Sequence, residues 1–464
     1  MLDFNTFQRE IRLLVRDKQF KEALTFFKTN KALFKKAEIA NNPYLVADML
    51  SALRGTQAFE AASKFLEIYS IALDENLHDR IVTSCALVLY DFIKSHIANE
   101  NKKHKPIPTN DQFWDQVLII LPLLSENTDE IANNIYDLLS QRIITYLSKI
   151  EEPNYLFINR ICEHIDSEKL SINSYEFESK EGGKTKKTAL ASTKESWYAL
   201  YSKALYETKN YKRCIEICKE ALDKIEKMHY SNDIWISRRM ANSMHHMGDL
   251  ADALAVFRTI LLKKRDWFLV AEFAEILYVL NQKEQALISM QEAMLLAGPI
   301  NFKIELIERI GDLYAENSRD ELAKQHYQLA LSIRVKEGWR VNLKLLDKAQ
   351  LVLEQDEAEI KFKTLRADLQ KTWQLAVPEE NQRKPKSFKS RQSEIQGVIT
   401  RVGFPKEAGV DLWLSAESGE KLYAFVQRTD EIFNDLKKDL QVSFTIKSDA
   451  KGKLNRAVRI KLSK

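Results

Sequence analysis

One spacing recurs through the middle of this 464-residue chain and leaves little freedom of fold. In SWYALYSKALYETKNYKRCIEICKEAL, the residues Tyr198, Tyr201, Ser202, Leu205, Tyr211, Cys214, Cys218 and Ala221 are separated by 3, 1, 3, 6, 3, 4 and 3 positions. The same intervals return at Ser237, Met240, Ala241, Met244, Leu250, Ala253, Phe257 and Ile260. They return again at Val270, Phe273, Ala274, Leu277, Lys283, Ala286, Met290 and Ala293, and at Ile307, Ile310, Gly311, Tyr314, Asp320, Ala323, Tyr327 and Ala330. Gaps of 3 and 4 keep residues on one helix face and the gap of 6 crosses a tight turn, so each copy predicts two antiparallel helices. A small residue on the first helix (Ser202, Ala241, Ala274, Gly311) and one on the second (Cys214, Ala253, Ala286, Ala323) let the pair approach closely.

The pattern resembles the tetratricopeptide repeat (TPR), a helical pair of about 34 residues; the small positions here are 39, 33 and 37 apart. Two further copies start at Phe7, Ile11, Leu14, Phe20, Ala23 and Phe27, and at Val46, Met49, Leu50, Leu53, Phe59, Ala62, Leu66 and Tyr69. Residues 80–165 keep the apolar helical spacing without the small-residue signature and read as degenerate repeats. Composition agrees, because 12 Gly and 9 Pro are too few for the turns of an all-β or Rossmann-type chain of this length. The resemblance covers residues 1 to about 350, most densely 197–333, and implies an α-solenoid whose first helices line a groove for a protein partner. Candidate groove residues are Lys203, Arg238, Asn242, His245, Glu272, Glu275, Glu308 and Arg309.

Polar stretches interrupt the helical pattern at 99–110, 167–196 and 378–393. The expected organisation is an N-terminal helical domain over 1–166, a polar loop over 167–196, a repeat array with a capping helix over 197–377, a basic tether over 378–393 and a last domain over 394–464. In that last domain the period changes to alternation. EIQGVITRV, VDLWLSAE, KLYAFV, QVSFTIKSD and LNRAVRIKL are five short strands, with a helical TDEIFNDLKK between the third and fourth.

This tail looks like a cold-shock-type OB domain, carried by Gly397 to Ile399, VDLWL, LYAFV, Val442, Phe444, Gly452 and Ala457. The fold class is therefore mainly α, a TPR-like solenoid followed by a small five-stranded OB-type β-barrel. In that family the second and third strands offer aromatic rings on which unpaired bases stack. Carried over, the platform is Trp413, Tyr423 and Phe425. The chain departs from the family where Asp411 stands in place of the first aromatic of the second strand, Arg401 and Val402 in place of the aromatic pair of the first, and Phe425 in place of a histidine.

Charge distribution points the same way. Residues 379–464 hold 18 Lys and Arg against 12 Asp and Glu, or +6, so the preceding chain carries 4 − 6 = −2 of the formal +4. Arg401, Lys447, Lys453, Arg456 and Arg459 are the candidate phosphate contacts, and such cations make affinity fall with salt.

Catalytic motifs are weak by comparison. EGGKT at 181–185 has Glu178 where a phosphate loop needs its first glycine, and it reads as a flexible loop. Cys214 and Cys218 sit one helical turn apart at packing positions, His245 and His246 are adjacent, and no HExxH, paired CxxC or GxSxG string occurs. No cofactor or metal is expected. With four cysteines, no basic-then-apolar leader and no apolar run of 18 residues, the expected setting is the cytoplasm. The sequence thus predicts a non-catalytic adaptor that binds a protein through its repeats and single-stranded nucleic acid, RNA before DNA, through its tail. The alternatives are a pure protein scaffold, or an accessory subunit of a nucleic-acid-processing or defence complex.

Overall fold

The structure, a computed structural model, describes residues 2–97, 106–127, 129–181, 184–378, 395–403, 409–416, 421–427, 433–448 and 455–462. It is mainly helical. Helices α1 (Phe4–Arg16), α2 (Phe20–Asn30), α3 (Lys36–Ala40), α4 (Pro43–Gly55), α5 (Phe59–Ile68), α6 (Asp79–His96), α7 (Gln112–Glu126), α8 (Glu130–Leu147) and α9 (Tyr155–Glu163) come first. A hairpin of β1 (Tyr175–Glu181) and β2 (Lys184–Leu190) precedes α10 (Thr193–Glu207), α11 (Tyr211–Lys224), α12 (Asn232–Met247), α13 (Leu250–Lys263), α14 (Trp267–Val279) and α15 (Lys283–Leu295). There follow α16 (Ile304–Glu316), α17 (Asp320–Lys336), α18 (Leu343–Ala349) and α19 (Gln355–Ala376), then strands β3 (Ile395–Val402), β4 (Gly409–Ala416), β5 (Lys421–Gln427), β6 (Gln441–Ser448) and β7 (Asn455–Leu462). Residues 1–294 with 299–369 make one compact unit, and 295–298 with 370–464 a second. Among the described residues no helix is long and apolar enough to cross a membrane.

Each repeated sequence unit is an antiparallel helical pair: α10 with α11, α12 with α13, α14 with α15 and α16 with α17. Their small positions are all buried, from Ser202 and Ala241 to Cys214 and Ala253. The closeness is literal at Gly311, where an added Cβ would stand 2.6 Å from Cε1 of Tyr327 on the partner helix.

The hairpins close in one way. After each first helix a single residue turns left-handed, at Lys209, Gly248, Asn281 and Ser318. The next N–H then reaches back five residues: Asn210 to Leu205 O, Asp249 to Met244 O, Gln282 to Leu277 O and Arg319 to Tyr314 O. This is the Schellman closure, which satisfies carbonyls that a helix end leaves open. Lys18 and Gln57 do the same between α1 and α2 and between α4 and α5, with Gln19 bonded to Leu14 O and Ala58 to Leu53 O. The two N-terminal hairpins are therefore built like the central four. Helices α6–α9 lack this turn among the described residues; α6 instead packs on α4, α7 and α8, and α8 and α9 pack on α10.

The stretch 167–196, expected as a polar loop, is mostly ordered secondary structure. A 3₁₀ turn spans Ser167–Lys169, β1 and β2 pair antiparallel from Tyr175↔Leu190 to Glu181↔Lys184, and α10 begins at Thr193 with Ser192 capping Glu195 N–H at 3.1 Å. Alternation was hidden by charge: Glu178 opposes Lys187 and Glu181 opposes Lys184, a pattern that favours a ladder rather than a solvated loop. Of EGGKT, Glu181 ends β1 and Lys184 and Thr185 begin β2, while its glycines lie outside the described residues.

In the second unit the hydrogen-bonded order is β3-β4-β5-β7-β6, with β6 also paired to β3. Among the described residues β5–β7 is the one parallel pairing of this unit. Inside lie Ile399, Val410, Leu412, Leu414, Leu422, Ala424, Val426, Val442 and Phe444, alternate residues of their strands as period-2 geometry requires. The helical TDEIFNDLKK reduces to a 3₁₀ turn at Phe433–Asp435 among the described residues. The tether, Pro378 apart, lies outside the described residues.

Candidate functional site

Two sets of residues were singled out by sequence, and the structure treats them differently. On the first helices of the repeats, most of the candidate groove residues bind one another. Arg238 on α12 makes a bidentate ion pair with Glu272 on α14, Nε to Oε2 at 2.8 Å, and Asn242 Nδ2 adds a bond to the same carboxylate at 3.2 Å. Glu275 on α14 takes two bonds of 3.1 Å from Arg309 on α16. Glu308 accepts from Arg334 of α17 at 3.0 Å.

These partners on successive first helices stand 34 positions apart and carry opposite signs. Glu272 holds the Arg238 guanidinium above its ordinary pKa. At Arg309 burial opposes the charge, but the bonds and charge of Glu275 still raise it. Of the remaining candidates, His245 is depressed by burial and by neighbouring His246, and its ring lies parallel to that of His246 at 5.7 Å. Lys203 lies 5.7 Å over the Tyr155 ring.

Sequence reasoning missed what lies beside this ladder. Trp235 stacks on Phe268 at 5.9 Å, with Lys264 over the Trp235 ring and Arg238 over the Phe268 ring. The signal was there in outline, as aromatic residues three positions before Arg238 and four before Glu272. Cys214 and Cys218 are both buried with sulfurs 3.9 Å apart, and Cys214 donates to Ser202 O, which is core packing. Among the described residues no group of three or more His, Cys, Asp or Glu is arranged as a metal site.

The second set falls into register. Arg401 on β3 stands opposite Trp413 on β4, Trp413 opposite Tyr423 on β5, Tyr423 opposite Arg456 on β7, and Arg456 opposite Lys447 on β6. One row across all five strands therefore reads cation, ring, ring, cation, cation. Two irregularities produce it. A bulge between Ile399 and Arg401 places Arg401, rather than Thr400, against Trp413; a second between Ser443 and Thr445 brings Lys447 against Arg456. An extra residue in one strand re-aims everything beyond it.

Trp413 is 36% exposed while its neighbours Leu412 and Leu414 are buried. The Arg401 guanidinium carbon lies 4.8 Å from the Trp413 ring centroid, and Thr400 Oγ1 donates to Trp413 O at 3.0 Å. Asp411 opposes Phe425 in the next row, and its carbonyl accepts from Gly403 N–H at 2.8 Å. The side chains of Tyr423, Phe425, Lys447, Arg456 and Arg459, and all of Lys453, lie outside the described ones.

No family model matches the sequence, and no curated protein is similar to it. Among solved structures the chain is similar to human IFIT1 as a dimer with PPP-AAAA, at 14% identity over 81% of this chain and 76% of that one, with a TM-score of 0.27. It is similar to the human IFIT1 dimer with m7Gppp-AAAA at 12% identity over 80% and 82%, with a TM-score of 0.30. A chain of the APC/C hetero-tetramer Cut9-Hcn1 gives 12% identity over 81% and 87%, with a TM-score of 0.25. Likeness at this level carries no functional argument.

Proposed function

We propose that this protein is a binding protein rather than an enzyme, and that its strand unit is an OB-type barrel that holds single-stranded nucleic acid, RNA in preference to DNA. The strand order β3-β4-β5-β7-β6 with one parallel pairing supports the OB reading. The observation that carries the binding reading is the row Arg401, Trp413, Tyr423, Arg456, Lys447. Rings offer π-faces to bases of any sequence, and flanking cations meet the phosphates that run beside them. The Arg401 guanidinium covers one face of the Trp413 ring, so a base stacking there would displace it and leave it beside the phosphates.

The helical array would supply the adaptor's second contact. Its ladder is neutral pair by pair, so a partner there is recognised through aromatic and apolar surface rather than through net charge.

The test is fluorescence anisotropy of a labelled oligouridylate of about 12 nucleotides with the full chain. Trp413→Ala is expected to lower affinity by about 1 to 3 kcal/mol. Arg401→Met with Arg456→Met should weaken binding of every sequence and flatten the salt dependence by roughly two phosphate contacts. Binding indifferent to Trp413 and to salt would remove the proposal and leave a protein scaffold.

A further inference from the structure

Lys203, a candidate groove residue, opens onto a cavity of about 290 Å³ where α8, α9 and α10 meet the turn before α12. Ile144, Leu147, Pro153, Ile158 and Leu200 make its apolar wall, and Thr145 and Asn232 add polar groups at the lining. Among the described residues the lining contains one charged group, the Lys203 ammonium, and no carboxylate. Ser148 and Ser196 also line it, but their hydroxyls donate to backbone oxygens of Thr145 and Ser192 at 3.0 and 2.9 Å. The ammonium rests over the ring of Tyr155 without an ion pair among the described residues. Lys203 is exposed, and a cation at the mouth of a cavity with an apolar wall is complementary to an apolar group that bears one negative charge.

A second observation marks the same place. Tyr230 and Ser231, consecutive residues that are not glycine, are both left-handed, with φ of 54° and 61°. Side chains disfavour that backbone, and strain of this kind persists only where the surroundings enforce it. Here a carboxylate enforces it: Glu195, 1% exposed, accepts from His229 N–H at 2.6 Å, from His229 Nδ1 at 2.8 Å and from Asn232 Nδ2 at 2.9 Å. Bonds on both sides of the left-handed pair fix the turn, and Tyr230, 60% exposed, is held on the cavity lining. Other helix connections use one left-handed residue each, at Lys209, Asn281 and Ser318, whereas this one has two in succession, tied to a buried carboxylate.

We propose that this cavity binds an apolar monocarboxylate, its hydrocarbon between α8, α9 and α10 and its carboxylate on Lys203, with Glu195 as the residue that positions Tyr230 at the mouth. The volume suits a chain of about eight carbons or one large apolar residue. Two sources share that chemistry, a free acid and the C-terminal residue of another polypeptide. The site is independent of the strand unit and of its proposed ligand.

The experiment is titration calorimetry of the full chain with octanoate, octan-1-ol, and a short peptide ending in leucine as free acid or as amide. Binding of octanoate identifies a free acid, and binding of the free-acid peptide alone identifies a chain terminus; either supports the site. Lys203→Met should weaken the bound acid about tenfold or more, the loss expected when a charge-assisted contact is removed. Lys203→Arg should retain most of the affinity, which separates lost charge from lost fold, and circular dichroism checks both variants. The proposal is overturned if neither acid binds, if octanol and the amide match the acids, or if Lys203→Met binds as wild type.

Discussion

In the hairpin array Arg238 meets Glu272 and Arg309 meets Glu275, each from one first helix to the next. In the strand unit Arg401 lies over a ring, Trp413, that remains 36% exposed, and the position opposite holds a tyrosine rather than a carboxylate. Both regions carry the aromatic and charged residues that sequence reading assigns to binding. In the first they answer one another, because facing residues on successive first helices come within reach. In the second a strand face holds them side by side in a row. The same residue types thus form ion pairs between helices in one region and a cation-on-ring contact on a strand face in the other.

The largest effect expected lies in the array's interior. Gly311→Val puts a side chain into the Tyr327 ring, whose hydroxyl is held by Asp312 Oδ1 at 2.7 Å, and should cost about 3 kcal/mol or more in urea unfolding. A loss below about 1 kcal/mol would mean that the helical pair relaxes and that the small position is not a close-approach site.

Acid should act through the same interior. His326 is buried, with Nδ1 2.7 Å from Leu322 O, and burial lowers its pKa to about 4 from 6.5. The folded value lies below the unfolded one, so the unfolded chain takes up the proton first. Stability is complete above about pH 6.5 and falls as pH drops toward 4, by about 2 to 3 kcal/mol from this group. Denaturation across pH 7 to 4 should show that slope, and His326→Leu should flatten it; an unchanged slope would assign the acid sensitivity elsewhere.

At the turns the expectation is smaller. Gly248 adopts φ 90° with open space around it, so Gly248→Ala should cost about 1 kcal/mol through backbone strain alone. Lys209→Gly, at the equivalent position, should be neutral or stabilising in the same thermal melt.

The ladder should matter less again. A double-mutant cycle of Glu275→Gln with Arg309→Met should give a coupling of about 0.5 kcal/mol, because both groups are about one-third exposed and screened. Coupling above about 2 kcal/mol would make the ladder a structural keystone and dissolve the contrast with the strand unit. Trp413→Ala closes the series. Its ring, about one-third exposed on the outer strand face, should change unfolding by no more than about 1 kcal/mol while oligonucleotide affinity falls.

How far the sequence could be read depended on the range of the interaction. The interval from Tyr198 to Ala221 placed α10 and α11, and its repeats placed the next six helices, because a helix buries residues at fixed local spacing. The alternation in VDLWLSAE and KLYAFV located β4 and β5 for the same reason. The hairpin at 175–190 escaped notice since its alternation is written in Glu and Lys, which mimic a solvated loop until the partner strand is known.

The candidate sites divide along the same line. Trp413 and Tyr423 could be named from strand period, but their alignment with Arg401, Arg456 and Lys447 depends on two bulges that no local pattern announces. Arg238 and Glu275 could be named as groove residues, yet their neutralisation by Glu272 and Arg309 follows from contacts 34 positions away. The chain by itself determined which segments are helical pairs and which are strands, because those choices are settled within a few residues by the period of burial. Tertiary structure decided which charges remain available and that Lys203, Tyr155 and Tyr230 surround one cavity, because such groups meet only after distant segments have packed.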